Sequence, residues 1–370
     1  MQIKVNLYQG KSGLLRLASS WRSLTDRLEN RRHFHCVEWY IALAETFEAH
    51  SPASNLVCIG VFAANELLAV FPFRLILIDV AGIELHALQL PSEALEVGTA
   101  RDFIMTPALA NSDFFQNFVH ILGQNDASWD VISLRGILDD SYAALALKSS
   151  PNLPFMKTPG GAWGKVDFVS CGDGDNPFDR LSKGFRQNLR TAHNKLKSMK
   201  VDFVSARNPD DLLKLYPDLL KVESSGWKGA QGTSVSNQPI ADSFLRNLIS
   251  NFGPVGGCEI HMMKVETQPI AALFCIVVNN ICYILKTGYD EAFEKISPSH
   301  LLLEYLIQER GTTGTLKTVT PYNAPPWFNA WKPNVVMGIH DAYVFRPSRQ
   351  GIELARRVGA AFKSVAAVQK

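Results

Sequence analysis

Hydrophobic positions recur along the chain with two periods, and the switches between them mark out the elements. Leu14, Leu17, Trp21 and Leu24 fall three and four residues apart, as do Trp39, Leu43 and Phe47, so helices are predicted within residues 14–50. Two apolar runs follow, 56–62 and 67–73, separated by Ala63-Ala64-Asn65-Glu66 as a hairpin turn. Residues 74–80 extend that sheet, and a further strand is expected near 83–90. An amphipathic helix over 112–123 and a short strand over 130–134 complete the first half. The second half repeats the order. A helix over 181–198 leads to a strand at 201–205 and helices at 209–225 and 239–251. Strands at 258–265, 270–278 and 281–287 then precede a loop, a helix at 298–310 and a strand at 316–320. Such a repeated order implies two copies of one fold.

Turn-rich stretches around Pro151, Pro154, Pro159-Gly160-Gly161 and Gly172–Pro177 place the boundary within 148–180, and domains are expected at 1–155 and 156–370. The length of 370 residues fits two domains at about 150 residues each.

Composition narrows the function classes. Hydrophobic residues make up 46% and charged residues 19%, which is ordinary globular usage. A net charge of +2 does not argue for nucleic acid or a membrane surface. The most apolar stretch, 56–83, is broken by Glu66, Arg74 and Asp79 and falls short of a membrane span. The first residues, Met1 to Tyr8, have no apolar segment of the kind a signal peptide carries. The six cysteines form no C-x-x-C pair and no zinc-like spacing, so no metal is expected and buried free thiols in the cytoplasm are the expectation.

Chemistry concentrates in residues 281–307. A strand runs into a ten-residue loop, Ser297 is placed to cap the next helix, and Pro298 takes its first position. A helix start at the end of a strand offers free N–H groups and a positive dipole end to an anion such as a pyrophosphate. A capped helix with no ligand accounts for the same spacing.

Lys286-x-Gly288-Tyr289-Asp290 followed by Ser297-Pro298-x-x-Leu301-Leu302 resembles the signature of the CelD-type (BcsL-like) acetyltransferase domain, a group in the GNAT superfamily related to the FemAB-like aminoacyltransferases. Two further segments are similar to that family. One is the basic helix carrying Arg186 and Arg190, and the other is Glu223 with the Trp227-Lys228-Gly229 run. The resemblance spans about 165–345. It departs from the family at Ser299, where a glycine is usual, and at 321–331, where an acid and a lysine are replaced by an aromatic-rich stretch.

The resemblance implies an α/β fold of tandem GNAT-like domains, each a mixed, mostly antiparallel sheet flanked by helices, the first of them degenerate. It implies an acyl-CoA co-substrate, with acetyl-CoA foremost, and no metal. The strand residues Leu285, Lys286 and Thr287 would line the thioester, and Lys295, Ile296, Ser297, Ser299 and His300 would hold the phosphates. Glu223 and Asp290 are the candidate general bases and Tyr322 a candidate acid. Trp227, Lys228, Arg186, Arg190 and Tyr289 are candidate acceptor contacts.

A carboxylate acting as base near neutral pH needs partial burial to raise its pKa. Each residue also has a plain structural explanation: Glu223 on a helix face, Asp290 shaping a turn, Trp227 as a core anchor, His300 as an exposed helix residue. Lys183, Arg186, Arg190, His193 and Lys197 recur at helical spacing and form either a solvated face or an anion-binding stripe. Three functions remain open. They are acyl transfer to a polysaccharide-related or cell-envelope acceptor, FemAB-like transfer from aminoacyl-tRNA, and non-catalytic binding.

Overall fold

The computed structural model of the chain describes residues 3–51, 56–91, 100–125, 128–159, 165–171, 176–312, 314–321 and 325–368. They divide into two units, one made of residues 1–165 and 337–370 and the other of 166–336.

The first unit starts with a strand that the periodicity reading overlooked, β1 (Ile3–Gln9), in which Ile3, Val5 and Leu7 alternate with polar residues. Helices α1 (Gly10–Thr25) and α2 (Val37–His50) follow. The strands β2 (Val57–Ala63), β3 (Glu66–Val80) and β4 (Ile83–Gln89) form the expected meander. Then come β5 (Ile104–Met105), α3 (Pro107–Ala110), α4 (Phe114–Asn125), β6 (Val131–Leu138), α5 (Tyr142–Lys148) and β7 (Phe155–Pro159).

The second unit contains β8 (Lys165–Ser170), α6 (Pro177–Arg180), α7 (Lys183–Leu196), β9 (Val201–Ala206) and α8 (Pro209–Ser224). It continues with α9 (Trp227–Ala230), α10 (Pro239–Phe252), β10 (Cys258–Val265), β11 (Gln268–Val278), β12 (Ile281–Tyr289), α11 (Pro298–Thr312) and β13 (Thr318–Thr320). The chain then returns to the first unit through β14 (Val335–Phe345) and α12 (Arg349–Val368). This return differs from the division at 155/156. β14 pairs with β6 and β7, so the C-terminal segment joins the first unit's sheet.

Both units share one strand order. In the first, β1-β2-β3-β4 pair antiparallel and β6 adds parallel to β4; in the second, β9-β10-β11-β12 pair antiparallel and β13 adds parallel to β12. A helix crosses over before the parallel strand in each, α4 in the first and α11 in the second.

The first unit's core includes an aromatic group of Phe71, Phe73, Phe103, Phe115 and Phe118. That of the second collects Leu189 and Ala192 from α7, Leu273 and Cys275 from β11, Ile284 from β12, Leu301, Leu302 and Leu306 from α11, and Phe328 and Trp331 from the segment after β13. All six cysteines are buried free thiols.

The parallel pairs differ between the copies. β4 meets β6 at its C-terminal end, over Ala87–Gln89 against Val131–Ser133. The Leu90 N–H also donates to the Ser133 carbonyl, and Arg101 forms a parallel bridge with Ile137 of β6. β12 meets β13 only at its start, Ile281–Tyr283 against Thr318–Thr320. Leu285 is an extra residue in the β11–β12 ladder, between the Cys275–Ile284 and Phe274–Lys286 pairs. A bulge bends its strand and sharpens the local twist, and here it lies just past the last residue bonded to β13. From Ile284 to Tyr289 the second edge of β12 has no strand partner among the described residues.

Helix α8 lies hard against that open segment. A Cβ on Gly288 would stand 2.6 Å from Glu223 Cα and 3.0 Å from Glu223 N. Gly288→Ala is therefore expected to push α8 off β12 and to lower stability by about 1–3 kcal/mol, as overpacking does. A urea unfolding midpoint unchanged from wild type would contradict this contact.

Candidate active site

Glu223 is on the last turn of α8, 2% exposed, where the helix packs on Gly288 of β12. A buried carboxylate needs partners, and the loop after α8 supplies them. The Val235 N–H donates to Glu223 Oε2 at 2.9 Å, and Lys228 Nζ lies 3.3 Å from Oε1. Lys228 Nζ also donates to the Thr287 carbonyl at 2.8 Å, so one ammonium joins the carboxylate to β12. The chain can turn this tightly because Gly229 has no side chain: a Cβ there would lie 1.9 Å from the Ser224 carbonyl oxygen. Glu223, Lys228, Thr287 and Gly288, drawn from two separate sequence motifs, thus form one cluster.

Other predicted residues fall in different settings. Leu285, at the bulge, is buried, whereas Lys286, Thr287 and Tyr289 are half-buried along β12. Asp290 caps the 3-10 turn 291–296: Oδ1 accepts from the Ala292 N–H at 3.0 Å and Oδ2 from Gln268 Nε2 at 3.0 Å. One oxygen is thus engaged by the turn and the other by the start of β11, which is the loop-shaping geometry. Tyr322 lies outside the described residues, as does the side chain of Trp227.

Ser297 is the residue the sequence marks as the cap of α11, and caps are commonly extended. It instead has φ 50° and ψ 56°, in the left-handed region, and its N–H donates to the Glu294 carbonyl. Its own carbonyl accepts from the N–H groups of His300 and Leu301. The 3-10 turn running straight into α11 forces this switch of hand. Ile296 is a core residue, Lys295 is exposed with its carbonyl accepting from Lys195 Nζ at 2.9 Å, and Ser299 is half-buried at the helix start. Arg186 and Arg190 are exposed, one turn apart on α7. His193, from the same stripe, is bonded to Glu304 at 2.7 Å.

His300 is not the exposed helix residue that spacing suggested. Its Nδ1 accepts from Trp331 Nε1 at 3.1 Å, and its ring packs on Phe185, Trp327 and Trp331. Sequence reading noted the aromatic bulk of 321–331 but not this bond, because no local pattern links positions 31 residues apart. Burial lowers the His300 pKa below its ordinary value. The bond requires a bare Nδ1, so protonation breaks it. Among the described residues no group of three or more His, Cys, Asp or Glu could hold a metal ion, and no helix is long and apolar enough to cross a membrane.

Comparison with known proteins bears on the same unit. Residues 183–319 match the family profile described as acetyltransferase (GNAT) domain. No curated protein matches the chain in sequence. Among solved structures, FemX is similar at 11% identity with a TM-score of 0.58, the likeness covering 89% of this chain and 96% of that one. A conserved protein of unknown function from Bacteroides thetaiotaomicron gives 10% identity and a TM-score of 0.52 over 88% of this chain and 97% of that one. The C-terminal domain of a putative lysylphosphatidylglycerol synthetase from Agrobacterium fabrum gives 9% and 0.51 over 92% and 95%. At these identities the likeness is one of fold, and it extends across both units.

The lowered His300 pKa fixes the sign of a pH effect. A histidine whose pKa falls on folding stabilises the native state above its unfolded value, about 6.5, and this contribution is lost as pH falls. Acidification below pH 6.5 is expected to loosen the aromatic group and shift tryptophan emission. His300→Asn, which keeps an acceptor for Trp331 but does not titrate, should reduce that shift; an identical titration in the variant would assign it to other groups. The segment that matches the acetyltransferase (GNAT) domain profile, 183–319, is thus the one that carries the β12 edge and the Glu223–Lys228 pair.

Proposed function

We propose that the chain is an acyl-CoA-dependent N- or O-acyltransferase of the CelD-type group, with acetyl-CoA as the foremost donor and a polysaccharide-related or cell-envelope molecule as acceptor, acting in the cytoplasm. The reading is carried by the stretch of β12 past Tyr283, whose second edge has no strand partner among the described residues, beside the buried Glu223. An edge strand offers unpaired N–H and C=O groups to an extended ligand, and the amide groups of a pantetheine arm can add to it as a further strand would. The Ser299 N–H, at the start of α11, is the kind of donor that suits the phosphates.

In this reading the acceptor's amine or hydroxyl attacks the thioester carbonyl directly. Glu223 takes the proton, the C–S bond breaks, and CoA leaves as its thiolate. A backbone N–H of β12 stabilises the oxyanion, an effect worth on the order of 3 kcal/mol in well-placed cases. Lys228 holds the Glu223 carboxylate in place and bridges it to the strand that carries the thioester. Transfer from aminoacyl-tRNA is the second reading; the exposed Arg186 and Arg190 are the observation in its favour. A non-catalytic binding protein is what remains if no donor binds.

Calorimetric titration with CoA and acetyl-CoA is the direct test. Binding should be lost in Ser299→Glu, which sets a carboxylate at the helix start, with the circular dichroism spectrum unchanged. Unaltered affinity would move the phosphates away from 295–299. Glu223→Gln should keep binding but slow thiol release from acetyl-CoA, measured over a panel of amino-sugar acceptors, by about 10²–10⁴-fold. Salt-sensitive filter binding of tRNA without CoA binding would favour the second reading.

A further inference from the structure

At the far edge of the second unit's sheet a serine, a histidine and a glutamate form a hydrogen-bonded row that acyl transfer at β12 does not use. Ser205 on β9 faces His261 on β10 in register, and His261 and Glu259 share one face of β10 two residues apart. Ser205 Oγ is 2.8 Å from His261 Nδ1, and His261 Nε2 is 2.9 Å from Glu259 Oε2. Glu259 is fixed from its other side: Arg310 Nη1 donates to Oε1 at 2.5 Å, and Arg207 Nε lies 3.5 Å from Oε2. Arg207 is itself held by both carboxylate oxygens of Glu309, each at 2.8 Å.

The protons in this row follow from its chemistry. Burial opposes ionisation of Glu259, but the bond to His261 and the charges of His261, Arg310 and Arg207 outweigh it, and the carboxyl lies below its ordinary pKa. An ionised carboxylate only accepts, so His261 Nε2 carries the proton shared with it. When the ring is neutral with its proton on Nε2, Nδ1 offers a bare lone pair to the Ser205 hydroxyl. His261 and Glu259 are fully buried, while Ser205 is partly exposed. The Arg–Glu pairs alone tie α11 to the sheet; that purpose does not call for a hydroxyl aligned on an imidazole that a carboxylate orients.

We propose that Ser205 is a reactive nucleophile, with His261 as its general base and Glu259 as the residue that orients His261, taking acyl groups from small activated esters. Ser205 Oγ attacks the ester carbonyl and its proton passes to His261 Nδ1. The C–O bond to the leaving group breaks, and the leaving oxygen takes the proton back. Water, deprotonated by the same nitrogen, then releases the acid and regenerates the hydroxyl. β9 ends the strand order of this sheet, so alternate N–H groups along it lack a strand partner among the described residues and lie beside Ser205 for the oxyanion. The arrangement follows the general logic of nucleophile, base and orienting acid, and it is separated from β12 by β10 and β11.

The test uses diisopropyl fluorophosphate on the full-length chain, read by intact mass and peptide mapping, and needs no CoA. One adduct is expected, on Ser205. It should be absent in Ser205→Ala, and its rate should fall by about 10²–10⁴-fold in His261→Gln. Hydrolysis of p-nitrophenyl acetate should fall in step in both variants. Folded wild-type protein with Ser205 unlabelled overturns the proposal even if a variant fails to fold. So does an adduct elsewhere, or a folded His261→Gln variant that labels at the wild-type rate.

Discussion

The arrangement of the second unit turns on how long two parallel strands stay bonded. β12 and β13 share three residues and then part, with the Leu285 bulge just beyond their last pair. Backbone polar groups require partners, so a released strand edge invites whatever can satisfy it. Lys228 already takes the Thr287 carbonyl. The first unit has the same strand order with further bonds to β6 after β4, from Leu90 and from Arg101. One strand order thus carries two different sets of bonds where its parallel pair ends.

The electrostatics of the site follow from that opening. Glu223 is taken out of water by the approach of α8, which the absence of side chains at Gly288 and Gly229 permits. A carboxylate so buried is costly unless partnered. The partners are a backbone N–H and a single ammonium, not a bidentate guanidinium, so Oε1 is only loosely held, with Lys228 at 3.3 Å. Glu259, by contrast, is gripped by the Arg310 guanidinium at 2.5 Å.

Much of this was legible in the sequence where a pattern is local. The hairpin at 63–66, the three-strand run from 258 to 287 and the helix after Pro298 follow from period and punctuation, and the Glu223 and Trp-Lys-Gly segments were recognisable as motifs. What was missed depends on long-range pairing. β1 carries its alternation in only seven residues before a helix. β14 belongs to the first sheet through partners more than 170 residues earlier in the chain. The left-handed Ser297 reflects two helices meeting end to end, which a capping pattern read from one side does not reveal. Trp331 and His300 find each other only once α11 and the segment after β13 have packed.

The route of the chain has a consequence for its biosynthesis. The first unit's sheet contains β14, which lies between β6 and β7 and is encoded after the whole of the second unit. Chains emerge from the ribosome N-terminus first, and domains generally fold as units as they appear. Here the segment that emerges earlier must wait with a missing strand while residues 166–336 are completed, so the second unit is the first able to close its own sheet.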